Sequence, residues 1–157
     1  MFVSRKGVVS CVRYLYIGDE SSGTVVQDAG LLDPVWEVHL GYGAGSRGRY
    51  ELSGTGRIAH YYQDLFVGNS GSGEFWQTGQ STCTMGDITL GQWEGSYELT
   101  DATVEAQDLL VGRDGVGHFT QNSGTVSVTR GSPCYFRVGY GYSGGTGQGT
   151  YESRSPR

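Results

Sequence analysis

Proline, cysteine and lysine are scarce in this chain of 157 residues, which has three prolines, three cysteines and a single lysine, Lys6. Glycine is abundant, at 28 residues. Glycine without proline predicts tight turns in an ordered repeat and argues against a disordered Pro/Gly tract. The net charge of −5 and the isoelectric point near 5.1 argue against a basic patch, so we expect no nucleic-acid partner.

The three cysteines, Cys11, Cys83 and Cys134, are far apart and form no CxxC pair. An odd number of cysteines at scattered positions supports neither a disulfide framework nor a zinc site. We therefore expect three small buried side chains, and we predict no metal site and no cofactor.

Long apolar runs are also absent. No stretch of about 18 apolar residues occurs, so no membrane span is predicted. Met1–Val12 contains a short apolar piece after Arg5 and Lys6, but no small-residue cleavage site follows it, so this segment does not fit a signal peptide. No window of about ten residues or more has a period of 3.6, which predicts essentially no helix.

The chain does contain a repeated short apolar strand that ends in glycine, here called the anchor strand, with successive copies 21 to 27 residues apart. The copies are Leu15–Gly18, Val38–Gly41, Leu65–Gly68, Ile88–Gly91, Leu109–Gly112 and Phe136–Gly139. A turn and a second strand follow each copy, at Gly23–Gln27, Gly48–Leu52, Gly73–Gln77, Gly95–Leu99, Gly117–Gln121 and Gly149–Ser153. Third segments follow at Arg57–Ala59, Thr82–Met85, Thr103–Ala106 and Thr125–Val128. Two copies are longer, and we expect loops from insertions within Gln27–Val35 and Tyr140–Gly149.

Side chains alternate between the two faces of a strand, so the inward residues follow from the spacing. In the anchor strands every inward residue is apolar, from Leu15 and Ile17 in the first copy to Phe136 and Val138 in the last. The inward residues of the second strands are Val25, Tyr50, Phe75, Tyr97, Phe119 and Tyr151. Two residues further on, glutamine alternates with leucine before a final serine: Gln27, Leu52, Gln77, Leu99, Gln121 and Ser153.

One such unit cannot bury its apolar side alone, whereas stacked units bury a continuous core. We therefore predict an all-β fold, a single-stranded parallel β-helix (β-solenoid) of about six rungs in one domain covering residues 1–157. Residues 1–14 are expected to form an irregular or partial first rung, 15–152 the repeats and 153–157 a tail. A β-sandwich or meander is the alternative, but it gives no reason for one side chain to recur at a fixed position.

The segments Gly48–Gly54 and Leu65–Gly79 alternate a Gly-x-Tyr-x-Leu-Ser-Gly motif with a Leu-x-Val-Gly-Asn-Ser-Gly-Ser-Gly-x-Phe-x-Gln-Thr-Gly motif. This pattern resembles the glycine-rich repeats of large secreted bacterial surface proteins, of the autotransporter passenger type and the PEP-CTERM type. The resemblance covers roughly residues 15–152. It implies a β-solenoid, an extracellular or bacterial cell-surface location, and a chain that is a fragment of a longer repeat array.

Short catalytic motifs have structural explanations here. Gly43–Gly48 fits GxGxxG, but a strand follows it where a dinucleotide site needs a helix. Gly141–Gly145 fits GxSxG without the following helix or the triad partners. Asp64, Asp87 and Asp108 each precede an anchor strand, where aspartate is a common turn residue. We predict no catalytic residues.

An enzymatic alternative uses the glutamates. Glu51, Glu98 and Glu152 occupy one outward position on alternate rungs, about 9–10 Å apart if each rung rises about 4.8 Å. That separation overlaps the range for inverting carboxylate pairs, so a carbohydrate-active parallel β-helix, a polysaccharide lyase or a glycosidase, is the second hypothesis. Regular repetition along the array is nevertheless what copying a structural unit produces.

Aromatic side chains mark the candidate binding surface. Three aromatic residues are predicted to point outward on alternate rungs: Tyr16, Phe66 and Trp76. The outward positions of the anchor strands on later rungs include Thr89 and Leu110. Exposed aromatic rows stack on sugar rings or pack against a partner. The alternative is ordinary scattered exposure, or cover by the predicted loop within Leu31–Trp36.

These patterns predict a non-enzymatic structural or adhesion module of the cell surface or secreted fraction, acting as a stalk, spacer or matrix component. A glycan or another surface protein is the expected partner. Open end rungs expose unpaired backbone, so we also expect end-to-end self-association.

Overall fold

The computed structural model describes residues 2–4, 7–129, 131–142 and 144–154, without the side chains of residues 2–4, 8–12 and 35. These residues contain 17 strands and no helix. No helix in this part of the chain has the length and apolar character needed to cross a membrane. The strands are β1 Phe2–Ser4, β2 Val8–Ile17, β3 Ser22–Gln27, β4 Leu31–Leu40, β5 Arg47–Leu52, β6 Arg57–Ala59, β7 Leu65–Val67, β8 Ser72–Thr78, β9 Thr82–Thr84, β10 Asp87–Leu90, β11 Glu94–Thr100, β12 Ala102–Ala106, β13 Asp108–Arg113, β14 Val116–Gln121, β15 Gly124–Val128, β16 Phe136–Tyr140 and β17 Gln148–Ser153.

Each strand pairs in parallel with its equivalent one turn away, so the chain forms a β-solenoid with three faces. The ladder face consists of β1, β3, β5, β8, β11, β14 and β17. The anchor face consists of the second halves of β2 and β4, followed by β7, β10, β13 and β16. The third face consists of the first halves of β2 and β4, followed by β6, β9, β12 and β15. The predicted all-β parallel β-helix is confirmed.

The solenoid has about five complete turns. An incomplete turn, formed by β1 and the first half of β2, comes before them, and β16 and β17 form another after them. The structured part therefore begins before Leu15, because β1 and β2 already pair with β3 and β4.

The core columns follow the predicted register. On the anchor face Leu15 pairs with Val38 and Val38 with Leu65, and the column continues through Ile88 and Leu109. On the ladder face the column runs Val25, Tyr50, Phe75, Tyr97, Phe119 and Tyr151. Four of its rings, from Tyr50 to Phe119, are fully buried and stack with centroid separations of 4.6 to 5.2 Å.

A buried hydrogen bond explains why phenylalanine and tyrosine alternate in this column. The hydroxyl of Tyr97 donates to Oε1 of Gln77 on the preceding turn, and that glutamine donates from Nε2 to the carbonyl oxygen of Thr103. The same tyrosine-to-glutamine bond joins Tyr50 to Gln27 and Tyr151 to Gln121. A polar group buried without a partner is costly, so each glutamine turn is followed by a tyrosine turn.

The corner between the anchor and ladder faces is built from glycine because backbone fills the space of a side chain. Gly68 has φ +78°, and a Cβ placed there would lie 1.9 Å from the carbonyl oxygen of Glu94 on the next turn. Gly73, at the start of β8, packs against Gly68, and its Cβ would lie 2.2 Å from the Gly68 nitrogen. Only glycine adopts this conformation and permits this approach without penalty.

The expected loop within Gln27–Val35 is wrong. Leu31–Leu40 is one continuous strand whose first residues pair with β6 and whose last residues pair with β7. Pro34 lies at an irregularity in the pairing with β2, where its missing N–H is tolerated. The second predicted insertion does form a loop, since β16 ends at Tyr140 and β17 begins at Gln148.

The last inward pair of the anchor column is not buried. Phe136 and Val138 are 44% and 46% exposed, although their register with Leu109 and Val111 is as predicted. No further strand pairs with the outer edge of β16 within the described residues, so the core is open at this end.

The cysteines differ from one another. Cys83 is fully buried, as expected, and burial raises the pKa of its thiol to about 12. Cys134 is exposed, so the expectation of a buried side chain is wrong there, because this residue lies outside the strands in the segment before β16. The side chain of Cys11 lies outside the described residues.

Candidate functional site

Two of the three predicted binding residues lie in one stack on the anchor face. Tyr16 in β2, His39 in β4 and Phe66 in β7 occupy the same outward position on successive turns. Parallel in-register strands place such residues about 4.8 Å apart, which suits stacked rings. The ring centroids of Tyr16 and His39 are 5.1 Å apart, and those of His39 and Phe66 are 4.9 Å apart with an interplanar angle of 7°.

His39 is the central ring of this stack and is only 4% exposed. Asn69 Nδ2 lies 3.1 Å from Nδ1, and Glu37 Oε2 lies 2.9 Å from Nε2. The asparagine amide donates, which assigns the ring proton to Nε2 and makes the carboxylate its acceptor. Burial lowers the pKa of His39, although the hydrogen bond with Glu37 acts in the opposite direction. Both nitrogens and both faces of this ring are therefore occupied.

Three further rings extend the stack, and the sequence patterns did not point to them. Tyr42, which directly follows the anchor glycine Gly41, lies 4.6 Å from Tyr16 between ring centroids. Tyr14 stacks beside Tyr16 at 5.8 Å, and Trp36 meets Tyr14 edge-on at 5.1 Å. The spacing of Tyr14 and Tyr16, two residues apart, was the available signal for Tyr14.

All of these rings except Trp36 line a groove of about 630 Å³, here called the aromatic groove. Its apolar walls are Tyr14, Tyr16, Tyr42 and Phe66. Its polar lining residues are Glu37, His39, Asn69, Ser70 and Gln92. Among the described residues, neither lysine nor arginine lines the groove, whose lining consists mainly of flat rings, amides and the Glu37 carboxylate.

The outward column does not stay exposed along the whole anchor face. Thr89 and Leu110, which follow Phe66 in register, are both buried. The expectation that the column remains at the surface through these turns is wrong. The aromatic residues of this column therefore belong to its first turns.

Trp76, the third predicted binding residue, lies elsewhere. It points outward from β8 on the ladder face, between Glu51 and Glu98 in register, and is 40% exposed. The guanidinium carbon of Arg49 lies 3.6 Å from the centroid of its ring, a cation–π contact. Arg49 also approaches Glu51, with Nε 2.8 Å from Oε1. One face of this indole is thus covered.

The glutamates of the enzymatic alternative each have a local partner. Glu51 pairs with Arg49, and Glu98 accepts a hydrogen bond from Asn122 at 2.8 Å. Glu152 pairs with Arg154 at 2.9 Å. In register the three carboxylates are separated by Trp76 and Thr120, one turn each, so they form a regular column.

The aspartates before the anchor strands act on the backbone. Asp64 accepts a hydrogen bond from the N–H of Asp87 at 2.9 Å, and Asp108 accepts one from the N–H of Tyr135 at 2.8 Å. Burial, with the neighbouring charges of Asp64 and Asp108, raises the pKa of Asp87 to about 6. Among the described residues, no three histidine, cysteine, aspartate or glutamate side chains are grouped to hold a metal ion.

The short catalytic motifs do not form sites in the described residues. Gly43–Gly48 runs directly into β5, which begins at Arg47, so no helix follows the turn. Ser143 of the GxSxG motif lies outside the described residues.

A comparison of the chain with protein-family models, curated proteins and solved structures gives no match.

Proposed function

We propose that this protein is a non-enzymatic structural and adhesion module of the bacterial cell surface or secreted fraction, whose aromatic groove binds a glycan. The observation that carries the proposal is the continuous cluster of rings around Tyr16, in which Tyr14, Trp36 and Tyr42 are all exposed. A contiguous apolar surface rimmed by polar groups is typical of a binding site.

The chemistry of the groove favours a neutral or weakly charged sugar. The faces of aromatic rings carry negative charge density, which complements the C–H faces of a pyranose. Glu37, Asn69 and Gln92 offer acceptors and donors for sugar hydroxyls beside these faces. Arginine and lysine typically bind phosphate or sulfate groups, and none of the described residues that line the groove is a lysine or an arginine. The nearby Arg13 guanidinium lies over the ring of Trp36, outside the groove lining.

The scaffold supports binding by holding the rings in place before a ligand arrives. Tyr16 and Phe66 project from paired strands and stack on a buried histidine, which is itself held by Glu37 and Asn69. Pre-ordered side chains reduce the entropy lost on binding. An extended solenoid displaying such a surface suits a stalk or matrix component.

The non-enzymatic proposal is supported by the state of the groups that could act as acids or bases. His39 has both nitrogens engaged, and it is bonded to Glu37, the one carboxylate among the described residues that line the aromatic groove. Retaining and inverting glycosidases use a pair of carboxyl groups on opposite sides of the bond.

Isothermal titration with a panel of neutral oligosaccharides, chosen from a glycan array, tests the proposal. Tyr16→Ala and Tyr42→Ala should each weaken binding roughly five-fold, since one aromatic contact contributes about 1 kcal/mol. Trp76→Ala is the matched control, because Trp76 is 40% exposed, close to the 39% of Tyr16, but lies on the ladder face. Equal losses in all three variants, or no binding to any glycan, would contradict the proposal.

Incubation of the same glycans with the protein separates binding from turnover. No reducing ends or unsaturated products are expected. Release of products that is abolished by Glu51→Ala or Glu98→Ala would instead establish the carbohydrate-active alternative.

A further inference from the structure

The C-terminal end of the solenoid presents an incomplete rung. β16 and β17 pair with β13 and β14 on one side, and the described residues place no strand on the other side. Phe136 and Val138 occupy core columns there but are exposed to solvent at the end of the array. This end therefore combines unpaired strand edges with apolar side chains, a surface suited to strand addition.

Gly139 lacks the backbone contact with a following turn that the other anchor glycines make. On every preceding turn, a Cβ on the anchor glycine would lie within about 2.3 Å of a carbonyl oxygen of the next turn, such as Arg47 for Gly18 and Gln148 for Gly112. Gly139 has the same conformation, with φ +70°, but its Cβ would meet nothing closer than 3.5 Å. The corner at Gly139 is thus shaped for the backbone of one more rung.

The N-terminal end of the molecule carries a rung of the required pattern. Leu15–Gly18 has the same apolar-x-apolar-Gly pattern as the other anchor strands, and Ser22 holds the register position of Arg47 and Gln148. Placed after β16, this strand would set Leu15 on Phe136 and Ile17 on Val138. The carbonyl oxygen of Ser22 would then fill the corner at Gly139.

The alternation of core residues is preserved across such a junction. Tyr151 already bonds to Gln121, so it belongs to a tyrosine turn, and the next turn should carry a glutamine. β3 supplies that glutamine as Gln27, which bonds onward to Tyr50. Outside the core, Tyr16 would lie next to Arg137, whose guanidinium lies over the rings of Tyr135 and Tyr140.

The strand β1 blocks this docking in the isolated molecule. β1 covers the outer edge of β3, where β17 of the second molecule would have to lie. β1 pairs with only three residues of β3, whereas β17 pairs with six residues of its present neighbour β14. Exchange of β1 for β17 would therefore replace a short pairing with one along the whole of β3.

We propose that copies of this chain associate head to tail, with the last turn of one molecule docking on the first turn of the next and β17 taking the place of β1 along β3. This inference does not rest on the glycan-binding proposal, although Tyr16 belongs both to the aromatic groove and to the junction. It commits to a second copy of the chain as the partner of the open end, and it specifies a single register.

Sedimentation velocity over a range of concentrations is the first test. The wild-type chain should form dimers and longer species as concentration rises. Val138→Glu, which places a charge on the exposed end of the core, should remain monomeric. Tyr62→Glu is the control, since Tyr62 is exposed but distant from the junction, and it should associate like the wild type. A wild-type chain that stays monomeric at all concentrations would overturn the proposal.

Disulfide trapping tests the register in the 157-residue chain, with Cys11 and Cys134 replaced by alanine and serine. Glu152→Cys combined with Val26→Cys places thiols on adjacent strands at one register position, within the Cα separation of about 4.4–6.8 Å that a disulfide requires. Glu152→Cys combined with Thr24→Cys shifts one thiol by two residues, to about 8 Å.

The first pair should give a ladder of cross-linked species under mild oxidation, several-fold more than the second pair. Adding Val138→Glu should remove that ladder. Equal cross-linking by the two pairs, or none by the first, would show that association does not use this register and would overturn the strand exchange.

Discussion

The hydroxyl of Tyr97 donates a 2.5 Å hydrogen bond to Oε1 of Gln77 on the neighbouring turn, and both side chains are completely buried. The bond couples two turns that differ in sequence. Burial raises the pKa of Tyr97, so the hydroxyl keeps its proton and remains a donor at all ordinary pH values. The core is therefore held by polar pairing as well as by apolar stacking.

Tyr97→Phe should lower the free energy of unfolding by about 1–3 kcal/mol, because Oε1 of Gln77 would stay buried without its donor. Urea denaturation measures this loss. Phe75→Tyr is the reciprocal test, since the turn before Phe75 carries Leu52 and offers no acceptor at that position. Both variants should be destabilised, and a neutral Phe75→Tyr would contradict the role given to the alternation.

Gly68→Ala should be among the most damaging single substitutions. The new Cβ would collide with the carbonyl oxygen of Glu94, in addition to the strain of φ +78°. We expect a loss of at least about 3 kcal/mol in thermal or urea unfolding. Gly45→Ala is the matched control, because Gly45 has φ +75° but nothing within 4 Å of its Cβ. That variant should lose only about 1 kcal/mol. Similar losses in the two variants would mean that the packing of the corner is less important than its conformation.

Asp87 should make the protein less stable at neutral than at mildly acidic pH. Its pKa in the folded state is about 6, above the value of about 3.9 in an unfolded chain, so folding favours the protonated carboxyl. This contribution therefore decreases as pH rises through about 6. Asp87→Asn should raise the free energy of unfolding at pH 7 by on the order of 1 kcal/mol, and the difference should disappear near pH 4. Asp28→Asn, at an exposed turn, should change neither value. A constant difference across this range would rule out titration as the cause.

His39 should act in the opposite direction. Its pKa in the folded state is lowered by burial, so the unfolded chain binds the proton more readily. Stability from this group is present above about pH 6.5 and is lost as pH falls towards the folded-state pKa. The imidazole resonances of His39 should titrate below pH 6.5 in an NMR experiment. His39→Phe, which retains a ring between Tyr16 and Phe66, should remove this part of the pH dependence, whereas the exposed His118→Phe should not. A normal titration midpoint for His39 would contradict the burial of its ring.

The columns of core residues were predictable from the sequence because every turn repeats the same pattern of apolar residues and glycines. The columns through Tyr50 and Leu65 follow from period-two alternation and the spacing of glycines alone. The third segment of the first turn could not be predicted in this way. Leu31–Leu40 contains Pro34, and a proline normally argues against a strand. A bulge in the pairing with β2 accommodates the proline, and no local pattern indicates such a bulge.

The site was only partly predictable for a related reason. Alternation identifies which residues point outward, but it does not say which face of a three-sided coil they share. Phe66 and Trp76 both point outward, yet a glycine corner separates the anchor strand of the first from the ladder strand of the second. The exposure of Tyr42 depends on the path of the turn after Gly41, which the spacing of apolar residues does not encode.

The pairing of tyrosine with glutamine also limits how the length of the array can change. Removal of a single turn would bring a glutamine turn against another glutamine turn, or a tyrosine turn against another tyrosine turn, and would leave polar atoms without partners inside the core. Removal or duplication of two turns together restores every partner. In this protein the smallest segment that can be gained or lost without damage to the core is thus a pair of turns, such as the 44 residues that separate Leu65 from Leu109.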